Sequence, residues 1–439
     1  MTLLQQLSCT DHESSAKELW EFAVKLFPIC RSITGNGTRQ TLRMIKERVP
    51  IEIVEVASGT QVFDWMVPKE WNIQDAYIKD SSGRRIVDFQ KCNLHVVNYS
   101  VPVHNRLALS ELKKHLHTLP EHPDWTPYRT TYYKEDWGFC LSHAQATALP
   151  EGDYEVFVDS SLTDGHLTYG ELLLLGTSKE EVLISCHVCH PSLANDNLSG
   201  ITVATRLAQL LSQTSHRYSY RFLFIPGTIG AITWLARNHE AAARIRHGLV
   251  LTCIGDKASF DYKKSRHENA EIDRVVEHVL TKTDPSATIL PFSPYGYDER
   301  QYCSPGFNLP VGCLMRSVWG TFPEYHTSAD NLAFLDPDSL AQSLEVCVSV
   351  LDVLEKNRRY RNLISYGEPQ LGRRGLCPST GGKVLEMELN ARLWTLNMSD
   401  GNHSLLDIAE KSSLPFQLIH ESADLLCEKG ILAPVDHRD

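Results

Sequence analysis

The sequence predicts an α/β protein with a largely parallel central sheet and a separate helical domain near its carboxyl end. Strand-like runs such as EVLISCHV and YRFLFIPG alternate with segments of helical spacing, such as ITVATRLAQLL and AITWLARNH. This alternation is typical of a parallel sheet with helices on both faces. Beyond GEPQLGRRGLCPSTGG, two short amphipathic segments joined by a tight turn precede an apolar run. That second pattern is typical of a helix-turn-helix or winged-helix domain.

The individual elements follow this plan in chain order. SSAKELWEFAVKLF has helical spacing, with Ser14 or Ser15 as the N-cap. Alternating runs that contain a Ser-Ser-Gly turn come next and predict a small β-rich insertion. The next predicted elements are a helix over LALSELKKHLHTL and strands over YEVFVDSSL and GHLTYGELLLLG. The predicted domains are a main domain of residues 1–48 and 106–365, an inserted domain of residues 49–105, and a winged-helix-like domain of residues 371–439.

Length, charge and cysteine content narrow the functional classes. A chain of 439 residues exceeds one ordinary core, and its net charge of −11 argues against nucleic-acid or anionic-membrane partners, which require a basic face. No apolar run approaches the roughly 20 residues of a membrane helix, and MTLLQQLSCTDHESS lacks the features of a signal peptide. The 12 cysteines are scattered, which favours reduced thiols. We therefore expect a cytoplasmic protein.

The stretch SCHVCHPSLANDNLSG contains the first candidate metal ligands. His187 ends a predicted strand, and Asp196 lies in the loop before the next predicted helix. His326, in FPEYHTSADNL, stands at another predicted strand end. Ligand sites of open α/β sheets gather at the carboxyl ends of strands, and imidazole and carboxylate groups are good zinc ligands. These three residues therefore predict a metal site.

The same stretch offers a second interpretation, because Cys186 and Cys189 form a Cys-x-x-Cys spacing. A zinc ribbon would need another such pair, and a thioredoxin-like motif would open a helix, whereas Pro191 follows here. Cys189 shares a strand face with His187. It is either a group that supports the ligands or a small buried hydrophobe. We expect His190 to cap or orient the loop rather than to bind metal.

These motifs resemble a known family. CHVCHPSLANDNLSG and YHTSADNL are similar to the metal-binding segments of the zinc aminopeptidases, the group that includes bacterial leucyl aminopeptidases and glutaminyl cyclases. This likeness covers about residues 160–355. With WGFCLS and DERQYCSPGFNLPVG, the whole chain most resembles bacterial aminopeptidase-like proteins that have a small inserted domain and a C-terminal winged helix. The resemblance implies a zinc-aminopeptidase-like three-layer fold.

Carried over by position, the resemblance makes His187 and His326 zinc ligands and Asp196 the carboxylate that bridges two metals in two-zinc enzymes. The chain departs from that pattern at two further ligand positions, where Thr228 replaces a Glu and Thr252 replaces an Asp. His187, Asp196 and His326 still suffice for one zinc with an open fourth position, as catalytic zinc requires. We therefore expect one Zn²⁺ per chain.

Gly227 marks the most consequential departure. In the aminopeptidases a Glu at this position takes a proton from the attacking water and delivers it to the leaving amine. General-base catalysis contributes roughly 10²–10⁴-fold, so the chain should be a slow peptidase or none. If the geometry of the site survives, Gly227→Glu should raise activity within that range. If Gly227 is instead required for a close backbone approach or a positive φ, Glu should distort the loop and lower the thermal stability.

Other residues could replace the missing base or line the substrate pocket. Glu299, Asp298 and Glu324 are candidate bases, and Glu324 would share a face with His326 on an extended backbone. Arginine recognises carboxylates in a bidentate manner, which suggests a pocket around YGYDERQY. The residues expected to support or line that pocket are Asp298, Arg300, Tyr297 and Tyr302.

Three functional hypotheses follow. The first is a zinc-dependent hydrolase that cleaves a peptide or amide bond of a small amino-acid-derived substrate. The second is a non-hydrolytic zinc enzyme, such as a cyclase or acyl-transfer enzyme, or a catalytically impaired binding protein. The third, a DNA-binding regulator, is disfavoured because the second tail helix carries Glu421, Asp424 and Glu428 against Lys429. We expect no nucleic acid or membrane partner, while a homo-oligomer through the insertion or the C-terminal domain stays open.

Overall fold

The computed structural model describes residues 11–376 and 387–435. Residues 1–10, 377–386 and 436–439, which fall in the predicted main and winged-helix-like domains, lie outside the described residues. Contacts divide the chain into two units, Met1–Val348 and Ser349–Asp439. None of the helices in the described ranges combines the length and the apolar composition that a membrane span needs.

The strands account for two sheets of the larger unit, one sheet of the smaller unit and several short pairings. In chain order they are β1 Glu52–Ala57, β2 Gln61–Val62, β3 Trp65–Met66, β4 Glu70–Lys79, β5 Arg85–Asp88, β6 Val103–Ala108, β7 Leu116–His117, β8 Phe139–Cys140, β9 Asp153–Thr163, β10 His166–Leu174, β11 Glu181–His187, β12 Ser219–Ile225, β13 Ile245–Leu251, β14 Asp261–Lys263, β15 Thr288–Leu290, β16 Val311–Met315, β17 Arg359–Asn362, β18 Asp400–Ser404 and β19 Leu432–Pro434.

The α-helices separate most of the strands of the main sheet. In chain order they are α1 His12–Leu26, α2 Asn36–Lys46, α3 Leu109–Leu112, α4 His143–Thr147, α5 Gly200–Leu211, α6 Ile229–Arg237, α7 His239–Ala242, α8 Glu271–Thr283, α9 Glu299–Tyr302, α10 Pro337–Lys356, α11 Met387–Met398, α12 Leu405–Ser412 and α13 Phe416–Glu428.

The larger unit is built on an eight-stranded sheet with the order β1-β10-β12-β11-β13-β16-β14-β15. Its four central strands run parallel, whereas β1 and β10 at one edge pair antiparallel. Every residue of β11 and β12 is buried, as expected for parallel strands that are covered on both faces. The predicted mixed α/β fold with a mostly parallel central sheet is confirmed.

Helix α5 links β11 to β12 and is buried nearly all round. Of its twelve residues, only Arg206 and Gln209 are partly exposed. A helix that is apolar on all sides belongs in a core. The loop between β11 and α5 is therefore fixed at both ends by buried elements.

A second, four-stranded antiparallel sheet has the order β5-β4-β9-β6. Its apolar face packs with Leu109, Leu112, Phe139 and Leu141. The sheet differs from the predicted insertion of residues 49–105 in two ways. Strand β1 belongs to the main sheet instead, and β9, which lies outside that range, belongs to the small sheet. Alternating residues identify a strand but not its partner, which explains the difference.

The smaller unit contains a three-stranded antiparallel sheet with the order β18-β17-β19 and the helices α11, α12 and α13. Ser404 and Asp407 form a capping box at the start of α12. Three residues then separate α12 from α13, as in a helix-turn-helix. Strand β17 precedes residue 371, so the sheet of this unit begins upstream of the predicted domain boundary.

Candidate metal centre

The candidate site lies at the carboxyl end of β11, in the parallel centre of the main sheet. His187 is the last residue of β11, and Asp196 belongs to the irregular segment Ala194–Ser199 that leads into α5. Both side chains are fully buried. This is the strand end at which ligand sites of open α/β sheets form.

A second buried carboxylate, Asp330, fixes the loop that carries Asp196. Its Oδ1 accepts the backbone N–H groups of Ala194 and Asn195 at 3.1 Å and 2.6 Å, and its Oδ2 accepts that of Asp196 at 3.0 Å. Burial raises the pKa of Asp330 to about 8, against the opposing effect of the N–H donors. The N–H groups of Asn195 and Asp196 thus depend on one side chain for their hydrogen bonds, whereas that of Ala194 also donates to the backbone carbonyl of Asp330 at 3.1 Å.

Three histidines converge on Asp196. His187 Nε2 lies 2.9 Å from Asp196 Oδ1, and His190 Nδ1 and His326 Nε2 lie 3.2 Å and 3.0 Å from Oδ2. His187 Nε2 and His190 Nδ1 are 3.1 Å apart. Ligand atoms of a tetrahedral zinc with bonds of ~2.0 Å stand ~3.3 Å apart. His187, His190 and Asp196 therefore have the spacing of a metal-binding group, and His326 contacts the same carboxylate.

The electrostatics of this cluster also fit a cation. Burial opposes ionisation of Asp196, but its contacts with His190 and His187 outweigh burial and hold its pKa well below the usual value. Burial lowers the pKa of His187 to about 4 and also lowers that of His326, so both imidazoles are neutral at pH 7. Asp196 Oδ1 has no hydrogen-bond partner among the described residues, because its close contact with His187 lacks hydrogen-bond geometry. A buried carboxylate oxygen without a partner, beside neutral imidazoles, is a suitable donor set for zinc.

His326 has an unusual backbone conformation. Its φ of 56° lies in the left-handed region, which is uncommon for a residue other than glycine. Its carbonyl accepts the N–H of Tyr128 at 2.7 Å, and its ring stacks on that of Tyr325 with a centroid distance of 4.0 Å. Such strained residues cluster at functional sites.

The space beside Gly227 is filled by a tyrosine. A Cβ atom at Gly227 would overlap the Oη, Cε1 and Cζ atoms of Tyr297, all of them within 2.4 Å. Tyr297 Oη lies 3.2 Å from His190 Nε2 and 3.7 Å from Cys189 Sγ, and the ring centroids of Tyr297 and His187 are 4.0 Å apart. A Glu side chain at position 227 would first have to displace Tyr297, which argues against a gain from Gly227→Glu alone and favours a glycine required for a close approach.

Asp298 and Glu299, the two residues after Tyr297, make contacts that fix the segment around Tyr297. Glu299 accepts the N–H of Tyr297 on both oxygens, at 3.2 Å and 3.0 Å, and pairs with Lys263 Nζ at 2.7 Å. Because the carboxylate of Glu299 is fully buried in these interactions, its predicted role as a free base is wrong. Asp298 accepts the N–H of Thr228 at 2.6 Å. Burial raises the pKa of Asp298 to about 7.

The structure also places the remaining predicted site residues. Cys189 is buried and accepts the N–H of Gly227 at 3.3 Å, and burial raises its pKa to about 12, so its thiol stays neutral. Tyr302 is fully buried with its hydroxyl 3.0 Å from Ser185 Oγ, so its predicted place in a substrate pocket is wrong. Arg300 and Glu324 are partly buried, and their predicted roles stay predictions.

Sequence reasoning therefore found part of the centre. It brought His187, Asp196 and His326 together, but it assigned His190 to the loop only and gave no role to Asp330. The signal for Asp330 was present in YHTSADNL, in which it is the single acidic residue. Tyr297 was expected to line the substrate pocket, but its position beside Gly227 depends on tertiary packing and carried no signal in the sequence.

Comparisons with known proteins agree with this fold. Residues 20–357 match the family model described as "Domain of unknown function (DUF4910)", and residues 358–434 match a winged helix-turn-helix family. A Clostridium acetobutylicum relative is 52% identical over 416 residues, which cover 94% of this chain and 96% of the relative. Its name is "Putative polysaccharide biosynthesis protein with aminopeptidase-like domain". These matches confirm the predicted resemblance to aminopeptidase-like proteins and the predicted C-terminal winged helix.

Two solved structures extend the comparison. A crystal structure of a "putative peptidase" from Clostridium acetobutylicum has a TM-score of 0.94, 48% identity and 99% coverage of both chains. BSAP, a zinc aminopeptidase from Bacillus subtilis, has a TM-score of 0.56 and 12% identity, and the match covers 76% of this chain and 94% of BSAP. At that identity the likeness to BSAP concerns the fold alone.

Proposed function

The chain belongs to the family described as domain of unknown function DUF4910, and on that premise we propose that it is a zinc-dependent hydrolase of the aminopeptidase type. Its substrate would be a small amino-acid-derived molecule with a peptide or amide bond. The observation that carries this proposal is the buried Asp196 carboxylate, which has three histidine nitrogens within 3.2 Å. The aminopeptidase-like fold supports it.

Each part of the centre has a distinct task in this proposal. His187 and Asp196 would hold one zinc ion, with His190 and His326 as the further imidazoles beside the same carboxylate. When bound, zinc would supply Lewis-acid polarisation of a carbonyl group or of water. Asp330 keeps Asp196 aimed at the histidines through the loop N–H groups. Burial of the cluster keeps bulk water away and strengthens every electrostatic interaction inside it.

A second function is favoured by one observation. Tyr297 fills the space beside Gly227 in which the aminopeptidases carry a basic carboxylate. A phenol has an ordinary pKa of about 10, so at neutral pH it is a hydrogen-bond donor and a poor general base. The alternative is therefore a non-hydrolytic zinc enzyme, such as a cyclase or acyl-transfer enzyme, or a catalytically impaired binding protein.

A metal and substrate survey of the full chain tests both functions. We expect about one zinc per chain, lost in His187→Ala and retained in His166→Ala, which removes an exposed histidine. The substrate panel consists of aminoacyl amides and an N-acylated amino sugar, because the name of the Clostridium relative refers to polysaccharide biosynthesis. Zinc-dependent hydrolysis supports the first function. A zinc-loaded protein that hydrolyses none of the panel supports the second. A protein without zinc contradicts both zinc enzymes and leaves the catalytically impaired binding protein.

For the winged-helix unit we propose a contact role that does not involve nucleic acid. The exposed positions of α13 include Glu421, Asp424 and Glu428, which would repel DNA phosphates. We expect no mobility shift of duplex DNA by the full chain at about 150 mM salt, whereas charge reversal of these three residues to Lys should create weak binding. A shift by the unmodified chain would contradict this proposal. The predicted cytoplasmic location and oligomeric state stay predictions.

A further inference from the structure

Tyr297 touches the metal centre through the nitrogen of His190 that faces away from Asp196. His190 Nδ1 lies 3.2 Å from Asp196 Oδ2 and 3.1 Å from His187 Nε2. The other ring nitrogen, Nε2, lies 3.2 Å from Tyr297 Oη. The two nitrogens of one imidazole therefore face two different environments, the donor cluster and a phenol.

A neutral imidazole carries one N–H group, and the nitrogen that binds a metal must present its lone pair. If Nδ1 of His190 faces the metal, the proton resides on Nε2 and is donated to Tyr297 Oη. The phenol proton then remains available for another acceptor, such as Cys189 Sγ at 3.7 Å. Metal-binding histidines ordinarily donate their second N–H to such a partner, which fixes the tautomer and the ring orientation.

We propose that His190 binds zinc through Nδ1 and that Tyr297 is its positioning residue, in the space that Gly227 leaves free. This inference rests on the proposed zinc-dependent function. It explains how the centre gains an imidazole although Thr228 and Thr252 stand at two of the ligand positions implied by the aminopeptidase resemblance. It also explains why position 227 is a glycine, because any Cβ there would collide with the ring of Tyr297.

The surroundings of Tyr297 hold it rigidly enough for this role. Both carboxylate oxygens of Glu299 accept its backbone N–H, and Lys263 pairs with that carboxylate. Its ring lies against the ring of His187. A side chain that is fixed by backbone and ring contacts can orient a neighbour without being reoriented by it.

The first test removes only the hydroxyl, in Tyr297→Phe. We expect the affinity for zinc, measured by competition with a chromophoric chelator, to fall by about 10–100-fold. The absorption spectrum of the Co²⁺-loaded protein should also change, while the melting temperature of the metal-free protein should fall no more than in Tyr302→Phe. Tyr302→Phe is the matched control, since it removes another buried hydroxyl, bonded to Ser185, and should leave zinc affinity unchanged.

A double-mutant cycle distinguishes action through His190 from a general effect. His190→Ala should weaken zinc binding, and Tyr297→Phe should add no further loss in that background. Unchanged zinc affinity and an unchanged Co²⁺ spectrum in Tyr297→Phe, with wild-type zinc still lost in His187→Ala, would overturn this inference alone. A wild-type chain that binds no zinc would overturn the proposed function and this inference together.

The close packing of Gly227 against Tyr297 can be tested separately, in the metal-free protein. Gly227→Ala should lower the melting temperature, because its Cβ would meet the ring of Tyr297. The same change should cost nothing further in a Tyr297→Gly background, where the space is free. Additive losses in the double variant would overturn the pairing of Gly227 with Tyr297.

Discussion

The centre has two sides that are built in different ways. The carboxylate side consists of His187, His190 and Asp196 with the supporting Asp330, and its three ligand candidates lie within ten residues of one another on a single strand end and loop. The tyrosine side consists of residues 227–228 and 297–299, two segments that are about 70 residues apart in sequence and meet only through packing. Gly227 has no side chain, but Tyr297 fills the space beside it. A glycine at a site therefore does not mean that the space of the missing side chain is empty.

The largest effect that we predict is on the carboxylate side. Asp330→Ala removes the acceptor for the buried N–H groups of Asn195 and Asp196, and each unsatisfied donor costs on the order of 1–3 kcal/mol. The N–H of Ala194 keeps the backbone carbonyl of residue 330 as its acceptor. We expect the free energy of unfolding to fall by about 2–6 kcal/mol in urea denaturation, with loss of zinc binding.

Asp330→Asn provides the control for that change. It keeps one oxygen, which can still accept the N–H groups of Ala194 and Asn195, but it turns an amide N–H₂ towards the N–H of Asp196. We expect an intermediate loss of stability and a large loss of zinc affinity. If Asp330→Ala had wild-type stability, the loop would have another support, and the carboxylate side would no longer be the side with the larger effect.

The tyrosine side offers a smaller effect through a buried ion pair. Glu299→Gln leaves Lys263 buried with an uncharged partner, since both side chains are almost fully buried. Breaking a buried pair by removing one charge costs about 3 kcal/mol or slightly more. Loss of zinc affinity should accompany this destabilisation only if Tyr297 shifts with its backbone anchor. Replacement of both partners, in Glu299→Leu with Lys263→Met, should recover much of the stability.

The two sides also differ in what the sequence could predict. His187 and Asp196 were predictable because a strand end and the following loop lie close together in any parallel sheet, and His326 because its motif resembles one of a known family. Glu299 was misjudged, because a sequence does not reveal that Lys263 will neutralise it 36 residues away. The partner of Gly227 could not be predicted either, since the overlap of two segments is a property of packing.

A third prediction addresses the missing base directly. Gly227→Glu alone should lower stability by about 1–3 kcal/mol through overpacking against Tyr297, with no gain in hydrolysis of aminoacyl amides. Gly227→Glu combined with Tyr297→Gly has room for the carboxylate, and any base that it restores contributes up to roughly 10²–10⁴-fold. Turnover should be compared at equal zinc occupancy. A gain in the single variant would show that Tyr297 moves aside easily.

The last prediction concerns Asp298, whose burial raises its pKa from 3.8 to about 7. Between these values the folded state keeps a proton that the unfolded state has lost, so unfolding releases a proton. The stability of the metal-free protein should therefore contain a contribution that falls by about 1.4 kcal/mol per pH unit as the pH rises from about 4 to about 7.

Asp298→Asn should abolish that contribution, because an amide does not titrate. The variant should still fold, since its amide oxygen can accept the N–H of Thr228 and its amide N–H₂ replaces an oxygen that has no hydrogen-bond partner among the described residues. The difference between wild type and variant in urea denaturation at pH 5, 6 and 7 isolates this one group from the titrating histidines. Equal slopes for the two proteins would mean that Asp298 is already ionised at low pH, so that the tyrosine side, like the carboxylate side, carries a buried negative charge beside the metal centre.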